Sequence, residues 1–266
     1  MYKYKLNLIT FKDGQTIDPK KLTVIVGANN CGKSRILKDI KSITTEKNNN
    51  NAIIVNDVNF TIPVNMSEFQ NSYSIQSIKD ANGQMYIKTL SADLSKPHNI
   101  PVGIDWETTF ENVLKKQDKS TMNQFSYWFG SFFISLFLTE DRLKLTKETE
   151  SSDIRDNISN LLQAFYKEGK ITENKLREVV KKTFQIDIAL DYSSLRKLLF
   201  RIGNNFDDLP SDTREQLLYF KDKEKLDEQG DGIRSFVATI LAILVGQKSI
   251  LLLDEPESFL HPPTSL

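Results

Sequence analysis

Three clusters in this chain combine residue types and spacings suited to phosphate chemistry. Gly27-Ala28-Asn29-Asn30-Cys31-Gly32-Lys33-Ser34 fits the pattern G-x-x-x-x-G-K-[ST]. In that pattern the glycines let backbone N–H groups close around phosphate oxygens, and the N-terminus of a following helix adds positive dipole. Lys33 supplies a mobile positive charge and Ser34 a hydroxyl for Mg²⁺, with Arg35 next in line. The second cluster, Asp254-Glu255-Pro256, ends the apolar run Ser249-Ile250-Leu251-Leu252-Leu253. Asp254 would hold Mg²⁺ through its water shell, and Glu255 would polarise an attacking water as general base. The third cluster, Glu228-Gln229-Gly230-Asp231-Gly232-Ile233-Arg234-Ser235, opens a helix. Gly230, Gly232 and Arg234 read either as a second anion site or as a plain helix-capping turn. The first two clusters predict a site for a nucleoside triphosphate with Mg²⁺.

The flanks must position these groups. Leu22-Thr23-Val24-Ile25-Val26 is rich in β-branched residues and predicts a buried strand leading into the loop. Ile36, Leu37, Ile40 and Ile43 then mark one face of a helix. Ahead of them, Lys5 to Phe11 reads as a strand closed by an Asp13-Gly14 turn. The run Lys47 to Asn51 reads as an exposed loop. Strand signals recur at Ile53-Ile54-Val55 and Phe60 to Val64, and Asn82-Gly83 predicts a hairpin between Tyr73–Ile78 and Met85–Leu90. Phe129 to Leu138 suits a core strand. From about Arg155 three apolar stripes predict helices: Ile158, Leu161, Leu162 and Phe165; Leu176, Val179, Val180 and Phe184; Leu195, Leu198, Leu199 and Ile202. Ile233, Phe236, Val237, Ile240, Leu241 and Leu244 mark a further helical face. The run Ser249 to Leu253 has no polar alternation, which predicts a strand buried on both faces of a parallel sheet. Its acids then emerge where open α/β sheets bind ligands.

Composition narrows the partners. Lys+Arg and Asp+Glu are equal at 35 each in 266 residues, so no global field steers the chain to nucleic acid or an acidic membrane. Cys31 is the only cysteine, which excludes a disulfide framework and a zinc cluster. With no signal-like start and no apolar run of spanning length, the expectation is a cytoplasmic protein.

Phosphate loop, insert, G-D-G-x-R helix and L-L-L-D-E-P run, in that order, resemble the ATPase heads of ABC-type proteins. The run from Asp254 through Glu257, Ser258, Phe259, Leu260 and His261 to Pro263 looks like the Walker-B and D-loop segment of a narrower group. That group is the ABC-like AAA ATPases related to the OLD nucleases, including ATPase subunits of anti-phage systems such as PARIS and Gabija. The opening, Leu6 to Ile40, is similar to the heads of SMC and RecF-like proteins. The resemblance implies ATP with Mg²⁺, a homo-oligomer built from head-to-head dimers, and an effector such as a TOPRIM-type nuclease in anti-phage defence. A nucleic-acid partner stays open. The alternatives are an ATP-bound scaffold with little turnover and a RecF- or SMC-like DNA-repair ATPase.

Departures from the family pattern set further expectations. Gly230 stands where the usual L-S-G-G-Q turn has serine, and Asp231 where it has glycine. Arg234 could compensate as a positive group acting in trans. Glu140 and Arg142 are candidates for the Q-loop position, or else for a structural salt bridge. His261 lies too close to Asp254 to be the switch histidine; it reads as a D-loop contact or a surface residue. The chain is therefore expected to be a fragment, or to bind ATP without a complete hydrolytic site. The expected fold is α/β: a P-loop NTPase of the ABC-ATPase head type, with a mixed central sheet, an N-terminal antiparallel β portion and a helical lobe. The expected boundaries are residues 1–150 for the nucleotide-binding lobe, 151–228 for the helical lobe and 229–266 for the signature helix and Walker-B strand.

Overall fold

The computed structural model describes residues 1–46, 51–73, 75, 77–153, 158–246 and 248–257. Most of the polar run expected as a loop (47–50), parts of the expected 73–78 strand, and His261 with the 258–263 stretch lie outside these residues. The chain forms two compact units. One comprises Met1–Ala92, His98–Leu136 and Lys248–Asp254; the other comprises Asp93–Pro97, Phe137–Gln247 and Glu255–Leu266.

In the first unit the strand Leu6–Phe11 pairs antiparallel with Thr16–Ile17 on one edge and Val55–Phe60 on the other. Leu6, Ile9, Val55, Val58 and Phe60 turn inward. The loop's helix, Lys33–Thr45, buries Ile40 and Ile43, as their spacing predicts. It also buries Asp39, whose carboxylate accepts the backbone N–H groups of Ile53, Ile54 and Val55 at 2.9, 2.6 and 3.1 Å. Arg35 Nε donates to the same carboxylate at 2.7 Å, so one acid ties the helix to the start of a strand. On its other side the helix meets Lys119–Phe133. Only a glycine fits at Gly130, because a Cβ there would stand 1.8 Å from the Thr44 carbonyl oxygen. Ser77–Lys79 and Met85–Leu90 form the expected antiparallel hairpin, extended by Pro97–Val102. The strand Ile250–Leu253 pairs with Ile134–Phe137.

The second unit packs the helices Thr139–Leu145, Leu161–Glu168 and Lys170–Phe184 with Asp231–Val245. Val237, Ala238, Leu241 and Val245 form the buried face of that last helix, whereas Ile233, Phe236, Ile240 and Leu244 of the expected face are only half-buried. Beside them lies an antiparallel sheet centred on Lys197–Gly203, which pairs with Asp187–Asp191, Glu224–Lys225 and Thr149–Glu150.

Several sequence expectations are corrected. Leu22–Val26 is not a buried strand: among the described residues it joins no ladder, and Leu22, Val24 and Val26 are 81, 72 and 85 % exposed. Strand propensity is realised only beside a neighbour that accepts the edge, and periodicity cannot supply that neighbour. For the same reason the described strands form four separate sheets instead of one mixed central sheet. Ile250–Leu253 is covered less than a central strand would be, with only Leu252 buried. The third helical stripe is a strand, Lys197–Gly203, reached through a turn at Leu195 with φ +59°. A continuous apolar run satisfies helical spacing and a doubly buried strand equally well, and length alone did not separate them. Phe129 to Leu138 divides between the end of a helix at Phe133 and the strand Ile134–Phe137. The strand expected at 53–55 begins at Val55, and the one expected at 60–64 ends at Phe60.

Candidate functional site: a phosphate loop and a distant carboxylate

Backbone geometry shapes the loop. Gly32 caps the helix Lys33–Thr45 in the left-handed region, φ +96°, and a Cβ there would fall 2.6 Å from Ile54 Cδ1. A Cβ at Gly27 would fall 2.6 Å from the Cys31 sulfur. A side chain at Gly27 would thus crowd Cys31 within the loop, and one at Gly32 would crowd Ile54, just ahead of the strand Val55–Phe60. Asn30 is also left-handed, φ +62°, a conformation asparagine tolerates better than most residues. Ala28, Asn29 and Cys31 are exposed along the loop. Lys33 Nζ donates to the Gly27 and Ala28 carbonyls at 2.8 and 2.9 Å, so the ammonium lies across the loop mouth. Arg35, by contrast, turns its side chain to Asp39 and to the Asn51 carbonyl.

The loop meets the acid that the sequence places 220 residues away: Ser34 Oγ donates to Asp254 Oδ1 at 2.9 Å. Asp254 is buried at the end of Ile250–Leu253, while the residues it follows are apolar and anchored in the unit. A hydroxyl and a carboxylate oxygen are hard donors that suit Mg²⁺, which takes few protein ligands and keeps waters and phosphate oxygens for the rest. Among the described residues no group of three or more His, Cys, Asp or Glu could hold a metal ion. Lys248, just ahead of this strand, donates to Thr89 Oγ1 and the Leu90 carbonyl at 3.1 and 2.9 Å and to the Ser131 carbonyl. Burial pushes its pKa down to about 7.

The remaining predicted site residues belong to the second unit. Glu255 is exposed and holds a backbone φ of +44°. Its carbonyl accepts Arg142 Nη2 at 2.8 Å, and its carboxylate accepts Thr139 Oγ1 over 3.4 Å. Arg142 is fully buried, whereas Glu140 is exposed. Arg234 is turned into the fold: it donates to Asp231 Oδ1 and to the Leu143 carbonyl, both at 3.0 Å, with its side chain 13 % exposed. Asp231 thus faces Arg234. Gly230 stands in open space just before the helix, and Gly232 is half-buried in its first turn. Sequence reasoning missed Thr139 and Asp39. A hydroxyl directly after a buried apolar run was the only signal for the first, and nothing in spacing marked the second.

A glycine-bounded loop at a helix N-terminus, with its serine bonded to a strand-end aspartate, is the arrangement of a P-loop nucleotide-binding domain within an α/β fold. The chain belongs to a family described as "AAA domain, putative AbiEii toxin, Type IV TA system", whose model matches residues 22–264. AAA ATPase domains bind and hydrolyse ATP with Mg²⁺. No curated protein and no solved structure matches the chain. No helix among the described residues is long and apolar enough to cross a membrane.

Proposed function

We propose that this chain is an ABC-like ATPase head of the OLD-related type, which closes on ATP as a head-to-head dimer and thereby controls an effector. The observation that carries the reading is the 2.9 Å bond between Ser34 and Asp254, which joins the phosphate loop to the expected Mg²⁺ carboxylate. The backbone around Gly27 to Gly32 would cradle the phosphates, and Lys33 would leave the Gly27 and Ala28 carbonyls for phosphate oxygens. Ser34 and Asp254 would hold Mg²⁺, which supplies neutralisation of phosphate charge. Glu255, next in the chain, would take the proton of the attacking water. Gly230, Gly232 and Arg234 of one copy would meet the γ-phosphate held by another, with Arg234 exchanging its own lobe for that anion. The family description names a putative AbiEii toxin of a type IV TA system, and the effector under control of this head would be a TOPRIM-type nuclease.

The test is Mg²⁺-ATP turnover by the full chain. Lys33→Ala should lose ATP affinity, and Asp254→Asn should lose Mg²⁺-dependent turnover. Glu255→Gln should bind ATP and assemble while turnover falls about 10²-fold or more. A parent that assembles on ATP with no turnover would replace the motor by a scaffold.

A further inference from the structure

We propose that the short helix Thr139–Leu145 is a positioning element for Glu255 and couples it to the helix Asp231–Val245. This rests on the reading of Glu255 as general base. Glu255 adopts φ +44°, a region that residues with a Cβ occupy only where their surroundings hold them. Both ends of this residue are held from the same helix. Arg142 Nη2 fixes its carbonyl at 2.8 Å, and the Thr139 hydroxyl reaches its carboxylate at 3.4 Å. Arg142 is 0 % exposed. Burying a guanidinium is costly unless it has specific partners, so its siting on a loop carbonyl calls for a role beyond packing. It also donates to Thr139 Oγ1 at 3.4 Å, which links the two holding groups to each other.

The next residue extends the chain of contacts. The Leu143 carbonyl accepts Arg234 Nη2 at 3.0 Å, while Arg234 Nη1 grips Asp231 in the turn that opens the long helix. An anion that draws Arg234 outward must therefore release Leu143, one residue from the group that holds Glu255. Occupation of the Gly230–Arg234 turn by a second copy's phosphate would in this way be felt at the base.

The experiment uses full-length chain with Mg²⁺-ATP, and variants Thr139→Val and Arg142→Lys. Thr139→Val should lower kcat about 5-fold with KM for ATP within 2-fold, because the hydroxyl orients a group rather than binding substrate. Arg142→Lys should lower kcat more, about 30-fold, at unchanged ATP affinity; Thr139→Val, nearly isosteric, guards against a folding failure of the first. In a Glu255→Gln background Thr139→Val should have no further effect, and Arg234→Ala should cost less in Arg142→Lys than in the parent. Losses that track only the fraction folded, or strictly additive effects, overturn the proposal. If Lys33→Ala and Glu255→Gln abolish turnover while Thr139→Val and Arg142→Lys match the parent, the ATPase reading stands and this inference falls. A parent without turnover overturns both.

Discussion

The two units are fastened by different physics. In the unit that carries the phosphate loop the core is a stack of aromatic rings. Tyr4 lies parallel to Phe133 with centroids 4.6 Å apart and planes 6° from parallel. Phe129 is met edge-on by Phe69 at 4.8 Å and by Phe110 at 4.7 Å. Burial pushes the Tyr2 and Tyr4 phenols far above their ordinary range, so the cluster stays uncharged. The other unit also buries apolar side chains, Phe165, Val180, Phe200 and Phe220 among them, and adds a buried acid as a clasp. Asp187 accepts Arg177 Nε and Nη2 at 3.0 and 2.6 Å and the Phe206 and Ile188 N–H groups at 2.8 Å, with Lys181 at 3.1 Å. Burial raises the Asp187 carboxyl, but Arg177, Lys181 and the two amides outweigh it and hold the pKa at about 2. The first unit should therefore be fragile to loss of volume, and the second to loss of charge.

The sharpest break of that contrast is Phe133→Ala, which removes a ring that touches Tyr4, Tyr73 and Phe125. It should cost about 4 kcal/mol, with faster amide exchange confined to peptides of the first unit. Gly130→Ala comes next, at about 3 kcal/mol, because the new methyl strikes the Thr44 backbone and not a side chain that could swing away. Since Thr44 lies in the last turn of the helix that Lys33 begins, this variant should also weaken ATP binding. Equal exchange in both units after either change would show that the halves do not respond separately.

Asp187→Asn probes the ionic half. The folded pKa, about 2, lies below the ordinary 3.8, so the acid's contribution is complete above about pH 4 and is lost as pH falls toward 2. A shift of that size corresponds to about 2 kcal/mol. The parent's second unit should lose protection over that window, and Asp187→Asn should start lower at pH 7 and show a shallower acid limb. An unchanged limb in the variant would move the acid sensitivity elsewhere. Asp39 adds an acid limb to the first unit too. Burial raises its carboxyl, but three backbone amides and Arg35 together lower it.

What the sequence could reveal divides along the same line. The loop and the meeting of Ser34 with Asp254 were legible because phosphate and Mg²⁺ chemistry, the expectation behind them, demands particular residue types at fixed offsets. The helices Lys33–Thr45 and Asp231–Val245 were legible from their apolar spacing, although the buried face of the second is turned toward Ala238, Ala242 and Val245 and shares only Val237 and Leu241 with the expected stripe. Lys197–Gly203 was not, since its apolar run fits two geometries. Leu22–Val26 was misread because the missing determinant is a neighbouring strand, which lies outside the segment's own composition. The grip of Arg142 on the Glu255 carbonyl was invisible, because a backbone acceptor leaves no mark in residue types.

Lys248 supplies the smallest and most selective test of the contrast. Its unfolded pKa is 10.5 and burial holds the folded value at about 7, so between these limits the folded chain binds fewer protons than the unfolded one. Stability of the first unit should then rise with pH across that window, by about 1 kcal/mol from pH 7.5 to 8.5. Lys248→Met should flatten the rise, and amide exchange in the second unit should show none. If the parent's first unit instead weakens as pH rises, the three hydrogen bonds from the ammonium to Thr89, Leu90 and Ser131 outweigh its burial. The lysine would then be a charged clasp ahead of the Asp254 strand, and the phosphate-loop unit would depend on charge as much as its neighbour does.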